Sequence, residues 1–274
     1  MKILILGSSG QVGAYLVDYL KLKGHSVSEF DLINGAHEDL RIHGNPLLAE
    51  RIAAADFVYF LAFDVGGSRY LSKYQHTVEF INNNMSIMLN TFNVLKDNKK
   101  PFVFASSQMS NMTYSPYGVL KAIGETYTRA LDGRIVKFWN VYGIEHNLEK
   151  SHVITDFILK ARDNGVIDMM TDGQEEREFL YADDCCRALE IVMNNYYAFD
   201  KNSDLNITSF NSVKVIDIAK IIANKFNATI IPANNTDMVQ LNKKNEASKL
   251  ILEYWNPQVS LEEGISYVIE GLRV

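Results

Sequence analysis

Four consecutive apolar residues, Ile3-Leu4-Ile5-Leu6, run directly into Gly7-Ser-Ser-Gly10-Gln-Val-Gly13 and then into a segment of helical periodicity. A strand that is apolar at every position has both faces buried, the habit of a parallel sheet covered by helices on each side. The glycines let the backbone turn sharply and bring the free amides of a helix N-terminus to the turn. The alternation then repeats. Residues 11–23 place Val12, Leu16, Tyr19 and Leu20 on one helical face and stop at Gly24, a C-cap signal. Further strands are expected at 26–31, 57–61, 102–105 and 134–138, and helices at 45–54, 76–96 and 114–131. This pattern predicts an α/β fold: a doubly wound parallel sheet, Rossmann-type, with right-handed crossovers.

Beyond about residue 145 the pattern loosens, with helices expected near 151–163, 183–195, 213–226 and 260–271 between loops rich in Asn, Asp and Gly. The expected organisation is a nucleotide-binding domain over 1–145, with part of 178–200 interleaved, and a smaller substrate-binding lobe over 146–274. The 274 residues are 47% apolar and 22% charged, enough to bury a sizeable core. A net charge of −6 argues against a general nucleic-acid surface but leaves room for a small phosphate-bearing ligand. No apolar run suggests a membrane span, and the N-terminus lacks a signal-peptide layout, so a cytoplasmic protein with no membrane partner is expected. Cys185 and Cys186 are adjacent, which strains a disulfide, and are read as small core residues of a helix. The six histidines show no ligand spacing, so no metal site is expected.

Three motifs carry chemistry. The glycine turn, with Gln11 and Val12 opening the helix, suits a dinucleotide pyrophosphate, although its G-x-x-G-x-x-G spacing departs from the commoner G-x-G-x-x-G. Asp31 closes the second strand, where a carboxylate can accept hydrogen bonds from an adenosine ribose and repel the extra phosphate of NADP. A solvated strand-end aspartate is the plainer reading. Asp39-Leu40 follows, and its position alone does not decide whether it meets an adenine. Finally, Tyr117 and Lys121 lie one helical turn apart, ten residues after Ser106-Ser107. An ammonium there can favour a phenolate, and a serine hydroxyl can hold a substrate oxygen beside it, a device for moving a proton on an alcohol or carbonyl. The spacing alone equally describes an aromatic ring covered by a lysine stem.

Taken together, these residues resemble an extended short-chain dehydrogenase/reductase of the NAD-dependent epimerase/dehydratase family, whose members work mainly on nucleotide sugars. The resemblance runs nearly end to end. By that resemblance Gly7, Gly10, Gln11, Val12 and Gly13 form the glycine signature, Asp31 is the ribose ligand, and Asp39 and Leu40 are the adenine contact. Leu61, Ala62 and Phe63 are similar to the strand end that lines the cofactor, and Asn84 to an asparagine that braces the active site. Ser107, Tyr117 and Lys121 match the catalytic serine, tyrosine and lysine. Lys137-Phe-Trp-Asn140-Val-Tyr-Gly143 resembles the segment whose asparagine contacts the substrate diphosphate. Asp172-Gly-Gln-Glu-Glu-Arg177-Glu-Phe resembles the segment whose arginine pairs with a nucleotide phosphate. The tail from Trp255-Asn-Pro257 to Gly264 also matches.

The resemblance implies bound NAD, a nucleotide-diphosphate sugar substrate, and a homodimer joined through the two long helices. It implies an epimerase that oxidises a sugar hydroxyl transiently, at C4, and returns the hydride. A reductase of 4-keto sugars consuming NAD(P)H is the alternative. Departures narrow the choice. Gln108 and Met109 stand where the dehydratases carry Asp-Glu, so dehydration is disfavoured. Gln108, and Glu145 beside His146, stand where members that epimerise at C3 and C5 and then reduce carry cysteine and histidine. Asp64-Val-Gly-Gly67 nonetheless resembles the GDP-sugar members of that branch. Phe63 replaces a small residue near the nicotinamide. A non-catalytic NAD sensor is disfavoured because the Tyr–Lys pair is present.

Overall fold

A computed structural model of the chain describes residues 1–145, 147–235, 237, 239 and 245–272; His146 lies outside the described residues. The first half alternates as expected: β1 (Lys2–Leu6), α1 (Gln11–Leu22), β2 (Ser26–Phe30), α2 (Pro46–Ala54), β3 (Phe57–Phe60), α3 (Ser68–Tyr74), α4 (Val78–Asn98), β4 (Phe102–Ser107), α5 (Pro116–Ala130) and β5 (Arg134–Phe138). The second half adds β6 (Asn140–Tyr142), α6 (Val153–Asn164), β7 (Val166–Asp168), β8 (Glu176–Tyr181), α7 (Ala182–Asn194), β9 (Asp204–Ile207), β10 (Ser212–Lys214), α8 (Val215–Phe226), β11 (Thr229–Ile231) and α9 (Leu261–Gly271).

Six strands form the central sheet in the order β2-β1-β3-β4-β5-β9, and every neighbouring pair is parallel. The period of two along β1 divides the core. Ile3 and Ile5 pack with Leu16, Val17 and Leu20 of α1 and Cys185, Cys186 and Leu189 of α7. Leu4 and Leu6 face the other way, with Leu48, Phe80, Phe92 and Leu120 of α2, α4 and α5. Each such side chain contributes roughly 1.5–3 kcal/mol when fully buried. Both cysteines are free and fully buried in α7, as read from the sequence.

The chain order reverses at β1, which lies between β2 and β3. Ligands of open parallel sheets bind at such a switch point, beyond the carboxyl ends of the strands. Two small sheets, β10-β8-β6 and β11-β7, build the rest with α6, α8 and α9. Asp184, fully buried in α7, accepts hydrogen bonds from the backbone of Gln258 and Val259 and so fastens the tail. Among the described residues no helix is long and apolar enough to cross a membrane.

Several elements differ from expectation, among them the short strands β6, β7, β8, β9, β10 and β11, where no strand was expected. α3 was not anticipated: its seven residues bury only Leu71, too little to leave a periodic signal. β4 runs on through Ser106 and Ser107, whose polarity hides the strand although both are buried.

Candidate active site

A cavity of about 1100 Å³ opens where the switch point predicts, beyond the ends of β1, β3, β4 and β5. Gly7 has φ +86°, and a Cβ there would lie 2.6 Å from the Ala62 amide nitrogen, so only glycine allows β1 and β3 to close this near the turn. Gly13 packs against the Gly7 carbonyl with no space for a side chain. Gly10 begins α1 without any side-chain cap, and Gln11 Nε2 is buried with no hydrogen-bond partner among the described residues. An uncapped 12-residue helix therefore points its free amides into the cavity.

Asp31 knits β2 to the turn. Its Oδ2 accepts from the Ser9 amide at 3.0 Å and its Oδ1 from the Ile33 amide at 3.1 Å. Asp39 also lines the cavity, but its carboxylate is gripped by the forked guanidinium of Arg41, at 2.8–3.1 Å. The hydrogen bonds from Arg41 hold the Asp39 carboxyl below its usual range. Arg41 itself reaches Asn83 and lines the wall, a cation the sequence reading passed over.

Ser107, Tyr117 and Lys121 converge on the same wall. Ser115 caps α5, accepting from the Gly118 amide at 3.2 Å, and Pro116 occupies the first turn. Tyr117 shares a hydrogen bond with the Ser107 hydroxyl. Lys121 Nζ donates to the Ala105 carbonyl at 2.6 Å and stands 3.7 Å from the centre of the Phe63 ring. Phe63 also meets the Tyr117 ring edge-on at 5.7 Å.

The electrostatics differ from the expectation that Lys121 makes Tyr117 acidic. Burial pushes the Tyr117 phenol up to about 12, and the Ser107 hydrogen bond offsets only part of that. Burial likewise pulls the Lys121 amine down to about 7, against the opposing charge of Glu125. Desolvation outweighs a cation that sits 5.8 Å from the ring centre.

Elsewhere the cavity is lined by Glu145, noted in the sequence beside His146, and by His152, which the sequence did not single out. Glu145, 7% exposed, accepts from His152 Nδ1 at 2.6 Å and from the His152 amide at 2.9 Å. Burial raises the Glu145 carboxyl, but hydrogen bonds from His152 and Thr155 outweigh it and leave the group below its usual range. Both residues of this carboxylate–imidazole pair line the cavity. Nearby, Asp64 accepts from Tyr70 at 2.6 Å and Lys150 at 2.9 Å, tying the loop after β3 to the segment before α6.

Three expected residues deserve separate placement. Asn140 lines the cavity and donates to the Glu178 carbonyl. Asn84 is fully buried and off the wall, and its amide group instead clamps the Asp64 backbone on both sides. Arg177 is also off the wall, with its guanidinium 2.5 Å from the Asp237 carboxylate. No group of His, Cys, Asp and Glu suited to a metal occurs among the described residues.

Comparison with known proteins agrees with this architecture. The profile of the NAD dependent epimerase/dehydratase family matches residues 3–208. UDP-glucuronic acid decarboxylase 1 of Danio rerio is 23% identical over 308 residues, covering 98% of this chain and 72% of the relative. GDP-L-colitose synthase of Yersinia pseudotuberculosis is 26% identical over 313 residues, covering 97% of this chain and 96% of the relative. Among solved structures, the UDP-glucose 4-epimerase of Thermotoga maritima with UDP-glucose superposes with a TM-score of 0.82 at 20% identity, covering 100% of this chain and 99% of that one.

Proposed function

The chain belongs to the NAD-dependent epimerase/dehydratase family, and from that premise we propose that it is an NAD-dependent epimerase of a nucleotide-diphosphate sugar. The observation that carries this reading is the convergence of Ser107, Tyr117 and Lys121 on the cavity into which the glycine turn opens. The turn's residues fit the dinucleotide. The uncapped start of α1 and the unpartnered Gln11 Nε2 suit a pyrophosphate, and Asp31 stands at the end of β2 for a ribose. Asp31 favours NAD over its 2′-phosphorylated form. When bound, NAD would supply the hydride acceptor and donor.

In this mechanism Tyr117 exchanges a proton with the sugar hydroxyl at C4, and Ser107 holds that oxygen by a hydrogen bond. Lys121 stabilises the phenolate as it forms and shares in holding the ribose. Burial keeps Tyr117 protonated at neutral pH, so the phenol must first release its proton before it can take the one from the C4 hydroxyl, and it gives that proton back when the hydride returns. Asn140 anchors the diphosphate. Arg177 joins it only if Asp237 releases the guanidinium. The α4 and α5 surfaces, which expose Val78, Ile81, Met85, Leu89, Val119 and Tyr127, support a homodimer through these helices.

One observation favours a second reading. The Glu145–His152 pair gives the cavity another proton-handling group, which hydride return at one carbon does not need. A 4-keto-sugar reductase consuming NAD(P)H, with proton exchange at a neighbouring carbon, would use it. Mass spectrometry of small molecules released from the denatured protein tests the NAD assignment and identifies the nucleotide sugar. With that sugar, an epimerase leaves the cofactor unchanged over many turnovers, whereas a reductase oxidises one per product. Tyr117→Phe is expected to lower turnover by about 10²–10⁴-fold; full turnover by that variant would discard the mechanism.

A further inference from the structure

Behind the Ser107–Tyr117 wall lies a charge cluster, buried at Glu125, to which the mechanism above gives no part. Tyr117, Lys121 and Glu125 follow one another at every fourth position on a single face of α5. They engage three consecutive residues of β4. Tyr117 meets the Ser107 hydroxyl, Lys121 donates to the Ala105 carbonyl, and Glu125 Oε1 accepts from Ser106 Oγ at 2.6 Å. Glu125 is 5% exposed and does not line the cavity. It is held from two further directions, by Lys137 of β5 at 3.2 Å and by Arg129 of its own helix at 3.2 Å. Both cations also reach Asp204 of β9, at 2.7 and 3.0 Å. Two carboxylates and two cations thus balance, with Glu125 and Lys137 largely buried and Arg129 and Asp204 partly exposed, and link three neighbouring strands to α5.

We propose that Glu125 is a positioning residue of the candidate site: it fixes Ser106, and so the strand end that presents Ala105 to Lys121 and Ser107 to Tyr117. The inference rests on the reading of Tyr117 and Lys121 as a proton-handling pair. A side chain that merely filled space at position 125 would not require this set of partners. A carboxylate there accepts from Ser106 with one oxygen while its charge answers Lys137, Arg129 and the neighbouring Lys121. The groups facing Lys121 are the Ala105 carbonyl and the Phe104 ring from β4, the Phe63 ring from the loop after β3, Tyr117, and Glu125. Glu125 is the one carboxylate among them, and it opposes the effect of burial on the amine.

The test needs neither substrate nor cofactor. Protein carrying ¹³C-labelled lysine is titrated by NMR, with the Lys121 signal assigned through Lys121→Arg. Glu125→Gln keeps the shape and an oxygen for Ser106 but removes the charge. It is expected to lower the Lys121 midpoint by about one unit or more, and Glu125→Asp is expected to restore most of it. Glu125→Ala also leaves Ser106 without its acceptor; unchanged amide exchange at the β4 end and the first turns of α5 in that folded variant overturns the proposal, whatever the midpoint does. If these variants do not fold, Ser106→Ala carries the test. Faster amide exchange confined to the β4 end and the first turns of α5 supports the positioning role, and unchanged exchange there overturns it. Failure here leaves the enzymatic reading standing, whereas native protein that neither carries nor binds NAD removes that reading without touching Glu125.

Discussion

Lys121 is a charge kept away from water, 3% exposed, with a carbonyl on one side and an aromatic face on the other. Its amine titrates at about 7 in the fold against an ordinary 10.5. Between those values the unfolded chain binds the extra proton, so this residue's contribution to stability grows as pH rises across the window. That contribution is lost as pH falls through about 7. Lys121→Met is therefore expected to stabilise the protein at pH 7 by about 1–2 kcal/mol and to remove the rise of stability between pH 7 and 10, both read by urea unfolding. A variant less stable at pH 7 would contradict this account. The sequence disclosed this residue because a lysine one turn from a tyrosine is a local pattern. It did not disclose Arg41 or His152 as wall residues, nor the pairing of Glu145 with His152, nor Asp237 as the partner of Arg177. Arg177 and Asp237 are 60 positions apart and meet only through tertiary packing.

At the scale of elements, the site depends on how closely α5 lies on β4. A Cβ on Gly124 would run into the Phe104 ring of β4, and one on Gly118 into the Met109 carbonyl just beyond it, so two small residues set how closely α5 lies on β4 and the turn that follows it. Gly118→Ala should cost about 1–3 kcal/mol of unfolding free energy and draw Tyr117 away from Ser107, lowering turnover as well as stability. Loss of stability with turnover unchanged would detach the helix position from the chemistry. The first five strands and most helices were legible because their periods differ: every β1 residue from Ile3 to Leu6 is buried, whereas α1 buries Gly13, Leu16, Val17 and Leu20. Short elements were not. α3 offers one buried residue, and the last two residues of β4 are serines that become buried only because α5 covers them. Element edges moved by a residue or two wherever a cap lay outside the periodic stretch, as with Asn45 before α2 and Thr77 before α4.

For the molecule as a whole, alternation of strand and helix implied a parallel sheet, but strand order is not written locally. β9 joins β5 across the 65 residues from 139 to 203, and no periodicity announces that pairing. The outer face of α4 presents Val78, Ile81, Met85 and Leu89 at helical spacing, 36–66% exposed. Sedimentation is expected to find a dimer at micromolar concentration and a monomer for Leu89→Arg; an unchanged species would place the subunit contact elsewhere. The pairing of β9 also bears on how the protein comes into being. While the ribosome is still adding residues before Asp204, β5 is a bare edge, and Lys137 and Arg129 lack one of their counter-charges. The inner side of α1 likewise waits for α7. Nascent chain emerging first must therefore wait for its later third before the β5 edge is paired and Val136 is covered by α7.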